Sequence, residues 1–128
     1  MTYPEGLFYS KDHEWVKLEG NRARIGITEY AQGALGDVVY AEVPSPGDEF
    51  AAGDNFGSVE SVKSVSDLYI PVSGKVVEVN GELDGSPELI NRDPYGKGWV
   101  AVVEMDDPGE TSGLMSASDY EAFVGESD

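Results

Sequence analysis

The chain has 128 residues, 40% of them apolar, and carries 25 acidic against 8 basic side chains for a formal net charge of -17. That length and apolar content support one hydrophobic core, hence a single domain over residues 1–128, and argue against wholesale disorder. Cysteine is absent, which excludes a disulfide framework, a thiol nucleophile and thiolate zinc sites, while the negative charge opposes docking to nucleic acid or anionic lipid.

In chain order, Met1 to Asp12 reads as a polar, aromatic-bearing lead-in with Pro4 and Gly6, lying over the surface before structure begins. His13 to Leu18 alternates as a strand, Glu19-Gly20-Asn21 is a turn signal, and Arg22 to Ile27 completes a hairpin. Thr28 is placed to cap a short helical stretch through Gln32, ended by Gly33 or Gly36. Asp37 to Val43 is an apolar strand stopped by Pro44-Ser45-Pro46-Gly47, where prolines remove ladder donors. Strand-like runs follow at Asp54 to Val65, Asp67 to Val72 and Lys75 to Val79, punctuated by glycines. Glu82 to Pro94 reads as a looped excursion with at most one turn of helix, and Gly98 to Met105 as a last central strand. Ser116 then caps a closing helix from Ala117 to Val124, whose Tyr120, Phe123 and Val124 fall at helical spacing.

No run approaches a membrane span, and the first residues lack the pattern of a secretory signal or an Arg-rich transit peptide. The expected setting is therefore the prokaryotic cytoplasm, a processed organellar form fitting less well. The acidity suits a salt-rich interior, since at about 1 M salt the Debye length is about 3 Å and surface repulsion is muted; plain solubility accounts for it as well.

The most informative segment is Gly57-Ser58-Val59-Glu60-Ser61-Val62-Lys63-Ser64-Val65-Ser66-Asp67, which puts Lys63 at the tip of a hairpin between two β-patterned runs. A lysine there projects its amine into water, where an enzyme can acylate it; a merely solvated lysine is the plainer alternative. The segment resembles the attachment motif of the glycine cleavage H-protein family. His13-Glu14-Trp15-Val16, Ile25-Gly26-Ile27-Thr28, Leu35-Gly36-Asp37-Val38-Val39, Leu89-Ile90-Asn91 and Pro94-Tyr95 follow the same family pattern in order, over almost the whole chain.

The resemblance implies a mostly β fold, a lipoyl/biotinyl-type barrel-sandwich hybrid of two antiparallel sheets with short peripheral helices, one of them C-terminal. It implies a non-catalytic, monomeric carrier with lipoic acid as a covalent amide on Lys63. The implied partners are glycine decarboxylase (P protein), the aminomethyltransferase (T protein), dihydrolipoyl dehydrogenase (L protein) and a lipoate-attaching enzyme. By the same resemblance, Glu14, Asp67 and Asp12 are the candidates for a cleft that shelters the aminomethyl-lipoyl arm. At Asp12 the family often has a hydroxyl residue, and at Ala34 some members carry an imidazole. Glu60 is a candidate recognition point for the modifying enzyme, or part of the general acidic surface.

The remaining functions fare less well. A lipoate-relay protein of similar build, passing lipoate to other enzymes, shares every one of these features. Biotin acceptors set methionines around the lysine, whereas Val62 and Ser64 stand here. A stand-alone enzyme lacks support, because no nucleophile–base pair or metal-ligand cluster presents itself and no Gly-rich phosphate loop precedes a helix. His13, the single histidine, reads as a strand residue with a satisfied hydrogen bond and no chemical role.

Overall fold

The computed structural model describes residues 3–127. Among the described residues, nine strands form two antiparallel sheets. Strands β1 (Phe8–Tyr9), β2 (Glu14–Glu19), β3 (Arg22–Ile27), β9 (Ala101–Met105), β8 (Gly74–Val79) and β5 (Glu49–Phe50) lie in that spatial order in the larger sheet. Strands β4 (Val38–Glu42), β6 (Asn55–Ser61) and β7 (Val65–Tyr69) form the smaller one, with β6 central and β7 at a free edge. The expected mostly β architecture of two antiparallel sheets with short helices is the one found.

Alternating apolar residues explain the layering. Val16, Ile25, Val76 and Val103 from the large sheet meet Ala41, Val59 and Leu68 from the small one in a single core, all of them buried. On its other side the large sheet is covered locally by a second cluster, where Tyr9 stacks on Tyr120 at 4.8 Å beside Trp15. Gly26 makes that cover possible, because a Cβ at this position would sit 2.6 Å from the Trp15 ring.

The helices extend the expectations. Thr28 caps α1 (Glu29–Leu35) by accepting from Ala31 N–H, so the helix runs through Gly33 and stops at Gly36, whose φ of 84° only glycine adopts cheaply. The excursion after β8 contains two short helices, α2 (Glu82–Gly85) and α3 (Leu89–Arg92), where at most one turn was expected. The closing helix α4 (Ala117–Ser127) is longer than its apolar stripe suggests. Three elements have no signal in the sequence: the two-residue strands β1 and β5, and a 3-10 segment at Pro108–Gly113. The amino-terminal lead-in is consequently not all surface, since Tyr9 is fully buried and pairs with Trp15 across β1 and β2.

Candidate functional site

The hairpin of β6 and β7 carries Lys63 at its tip, and one buried hydroxyl holds the turn closed. Ser61 Oγ accepts from the N–H groups of Lys63 (3.3 Å) and Ser64 (3.1 Å) and donates to the Ser64 carbonyl (3.2 Å), while Ser61 N–H donates to that carbonyl at 2.8 Å. The turn is tied to the end of α1 as well, through Val62 N–H to the Asp37 carbonyl at 3.2 Å. A fixed backbone therefore presents an exposed side chain. Lys63 is exposed, and its amine meets no hydrogen-bond or ion-pair partner among the described residues. Val62 and Val65 beside it are 74% and 63% exposed.

The Lys63 stem runs past Gly36, where a Cβ would lie 3.5 Å from its Cε. Asn91 on α3 fixes that corner: its Nδ2 donates to the Gly36 carbonyl (2.8 Å) and to Gln32 Oε1 (3.0 Å), and its Oδ1 accepts from Val38 N–H (2.8 Å). The sequence motif contains Asn91 without showing this duty, because its partners lie 53 to 59 positions away.

Between α1 and the free edge of β7 opens a cleft of about 310 Å³. Ile27, Leu35 and Leu68 contribute apolar wall, Asp12, His13 and Asp67 contribute polar groups, and the three residues after Lys63 form one lip. Ala34 also faces this space. The structure thus brings Asp12 and Asp67, expected from the sequence, together at one cleft that starts beside Lys63. Both are exposed.

Glu14 sits elsewhere. It is 1% exposed and is not among the described residues lining the cleft. Its Oε1 accepts from Ser10 Oγ–H at 2.9 Å and its Oε2 accepts from Tyr69 N–H at 3.1 Å, so a side chain from β2 of the large sheet satisfies an edge donor of β7 in the small one. Burial pushes its carboxyl up to about 8, against the lowering effect of the Tyr69 and Ser10 hydrogen bonds and with a smaller raising effect from Asp12. Glu14 therefore acts from behind the cleft wall, joining the two sheets. Glu60 lies on the exposed face of β6, three residues before Lys63 and paired in register with Tyr40 and Val65.

His13, given no role from the sequence, lies on the cleft. It closes the turn between β1 and β2 with a φ of 68°, and its ring lies 4.7 Å from that of Tyr30. Its Nδ1 is 2.7 Å from the Tyr120 hydroxyl of α4, which is itself 2.8 Å from Thr28 Oγ1 at the cap of α1. Burial lowers the affinity of His13 for a proton, with Asp12 opposing weakly. The described residues contain no group of three or more His, Cys, Asp or Glu able to hold a metal ion. No described helix is long and apolar enough to cross a membrane.

Two antiparallel sheets offering one free lysine on a pinned hairpin tip, beside an acid-rimmed cleft, are the build of a small lysine-presenting carrier domain. Comparison with known proteins fixes the family. The family model described as Glycine cleavage H-protein matches residues 7–127. The glycine cleavage system H proteins of Staphylococcus haemolyticus and Staphylococcus saprophyticus are each 58% identical over 126 residues, spanning 98% of this chain and 100% of theirs. The crystal structure of a glycine cleavage system H protein from Mycobacterium marinum superposes with a TM-score of 0.88 at 40% identity, covering 96% of this chain and 99% of that one. The chain belongs to the glycine cleavage H-protein family.

Proposed function

We propose that this chain is the lipoyl-carrying shuttle of a glycine cleavage system, with lipoic acid joined as an amide to Lys63 Nζ. The observation that carries the reading is Lys63 itself: an amine unpartnered among the described residues, on a hairpin tip fixed by Ser61, at the mouth of a cleft, in a chain of this family. The residues fit the group, because the apolar wall suits a hydrocarbon arm and the carboxylates suit a cation at its end. When bound, the dithiolane would supply redox-active disulfide chemistry, the capacity to carry an aminomethyl group from glycine decarboxylase to the aminomethyltransferase and to be reoxidised by dihydrolipoyl dehydrogenase.

The chain's own residues perform the remaining tasks. Lysine amines are protonated at neutral pH, so attachment at Lys63 needs an enzyme that removes the proton and presents activated lipoate; exposed Glu60 is a contact for it. Tethering through a long side chain raises the effective concentration of the cargo at each partner. Asp12 and Asp67 accept charge-assisted hydrogen bonds from a protonated amine in the cleft. Ile27, Leu35 and Leu68 exclude water from it, which slows premature hydrolysis. Glu14 holds the β7 wall in place from behind.

Reconstitution with the three partner enzymes tests the reading. Lipoylated protein should support glycine-dependent carbon dioxide release and NADH formation, and Lys63→Arg protein should support neither. Lipoylated protein that gives no turnover with these partners yet donates lipoate to other enzymes would replace this function with lipoate relay.

A further inference from the structure

We propose that His13 is a positioning residue of the cleft, held as its Nε2–H tautomer by the hydroxyl of Tyr120 and offering that N–H to an acceptor atom of the group carried on Lys63. The arm half of this inference rests on the carrier function above; the tautomer half rests on geometry alone.

The tautomer follows from where the hydrogens of a buried chain can go. Ala31 N–H donates to Thr28 Oγ1 at 3.2 Å, and Thr28 is wholly buried. Its remaining neighbour is the Tyr120 hydroxyl at 2.8 Å. Were Tyr120 to donate to Thr28, the Thr28 hydroxyl hydrogen would be left buried and unused, at the cost of desolvating a donor for nothing. Thr28 therefore donates to Tyr120, and Tyr120 donates its own hydrogen to His13 Nδ1 at 2.7 Å. Burial keeps the Tyr120 phenol protonated by pushing its ionisation upward, so this donor persists. With Nδ1 accepting, a neutral imidazole carries its proton on Nε2.

Nε2 is open. It has no partner among the described residues, and no buried side-chain nitrogen or oxygen among them lacks one, so it is solvent-accessible in a residue that lines the cleft. The ring cannot easily turn away: Tyr30 lies against it at 4.7 Å, Tyr120 at 5.8 Å and Phe123 at 6.0 Å, and the Tyr120 bond fixes which edge faces out. The cleft then presents Asp12 and Asp67 as acceptors for an amine and His13 as a fixed donor for an acceptor on the same arm, an amide oxygen or a sulfur. One hydroxyl on α4 links the C-terminal helix, the cap of α1 and the β1–β2 turn, so the helix sets the donor's direction.

Because His13 is the single histidine, long-range proton–nitrogen correlation spectra of protein labelled with nitrogen-15 histidine read it without ambiguity. The unmodified protein should show the neutral Nε2–H tautomer at pH 7, and Tyr120→Phe should give a mixture of tautomers. In protein whose lipoylation and glycine loading are verified by intact mass, the Nε2 proton should shift and exchange with solvent about fivefold more slowly, the effect of one ordinary hydrogen bond. A difference at the sulfur-bound carbons between loaded wild-type and loaded His13→Asn protein assigns the acceptor to sulfur, and a difference at the amide carbon assigns it to the amide oxygen. His13→Asn, which tolerates the left-handed backbone, should release the cargo faster by a similar factor. An Nδ1–H tautomer, or an Nε2 signal unmoved in mass-verified loaded protein, overturns the inference while leaving the carrier function standing. A Lys63 that takes no lipoate overturns the carrier function and the arm half together.

Discussion

Replacing Glu14 with Gln should remove a large pH dependence from the stability of this protein. The wild-type carboxyl is raised from 4.5 to about 8, chiefly by burial, so between those pH values the native state keeps a proton that the unfolded state has lost. The stabilising contribution is complete below about pH 4.5, declines by about 1.4 kcal/mol per pH unit, and is gone above about pH 8, a ceiling of about 5 kcal/mol across the window. Gln keeps an oxygen for Tyr69 N–H and carries no proton to lose. Urea unfolding of both proteins from pH 4 to 9 isolates the effect, and 1 M salt suppresses the repulsion among the other carboxylates. The variant should gain on the wild type with each unit between pH 5 and pH 8 and hold its lead above that. Parallel curves would refute the reasoning, because they would mean that Glu14 is ionised in the native state throughout, with water or another donor reaching it.

Gly36→Ala should cost about 1–3 kcal/mol of stability, since a φ of 84° with ψ of -156° lies in backbone space that is essentially reserved for glycine; an unchanged urea midpoint would contradict it. Asp12→Asn and Asp67→Asn should each speed loss of the aminomethyl group from loaded protein, seen in the decay of intact mass with time, and unchanged decay would reject their assignment as amine acceptors. A chain of net charge -17 with a single described ion pair, Arg24 with Glu19, should melt at higher temperature in 1 M than in 0.05 M sodium chloride, and a salt-independent melting temperature would show that its charges are already balanced by their arrangement.

Much of the fold was legible where one face of a strand is wet. β3 runs over Arg22–Ile27 as its alternation and flanking turn signal suggest, and Lys63 lies at a hairpin tip as expected, although the run read as one strand from Asp54 to Val65 is broken by the Ser61-held turn into β6 and the start of β7. Legibility failed where both faces are covered. In β2, Glu14, Trp15 and Val16 are all buried, because the core takes one face and the Tyr9–Tyr120 cluster the other, so alternation could not tell that Glu14 faces inward while Asp12 and Asp67 stay at the surface. Of the two stops offered, Gly33 and Gly36, α1 passes over the first and ends at the second, the Gly33 cost of about 1 kcal/mol outweighed by the Thr28 cap and by Asn91 holding the far end. The duty of His13 was invisible for a related reason: its partner Tyr120 is 107 positions away, and no local pattern encodes that meeting.

Whether Lys63 carries the cargo is read most directly from intact mass with peptide mapping of the protein purified from lipoate-replete host cells. The mass of one lipoyl amide should appear, located on the peptide that contains Lys63. An unmodified Lys63 in such cells would contradict the carrier function.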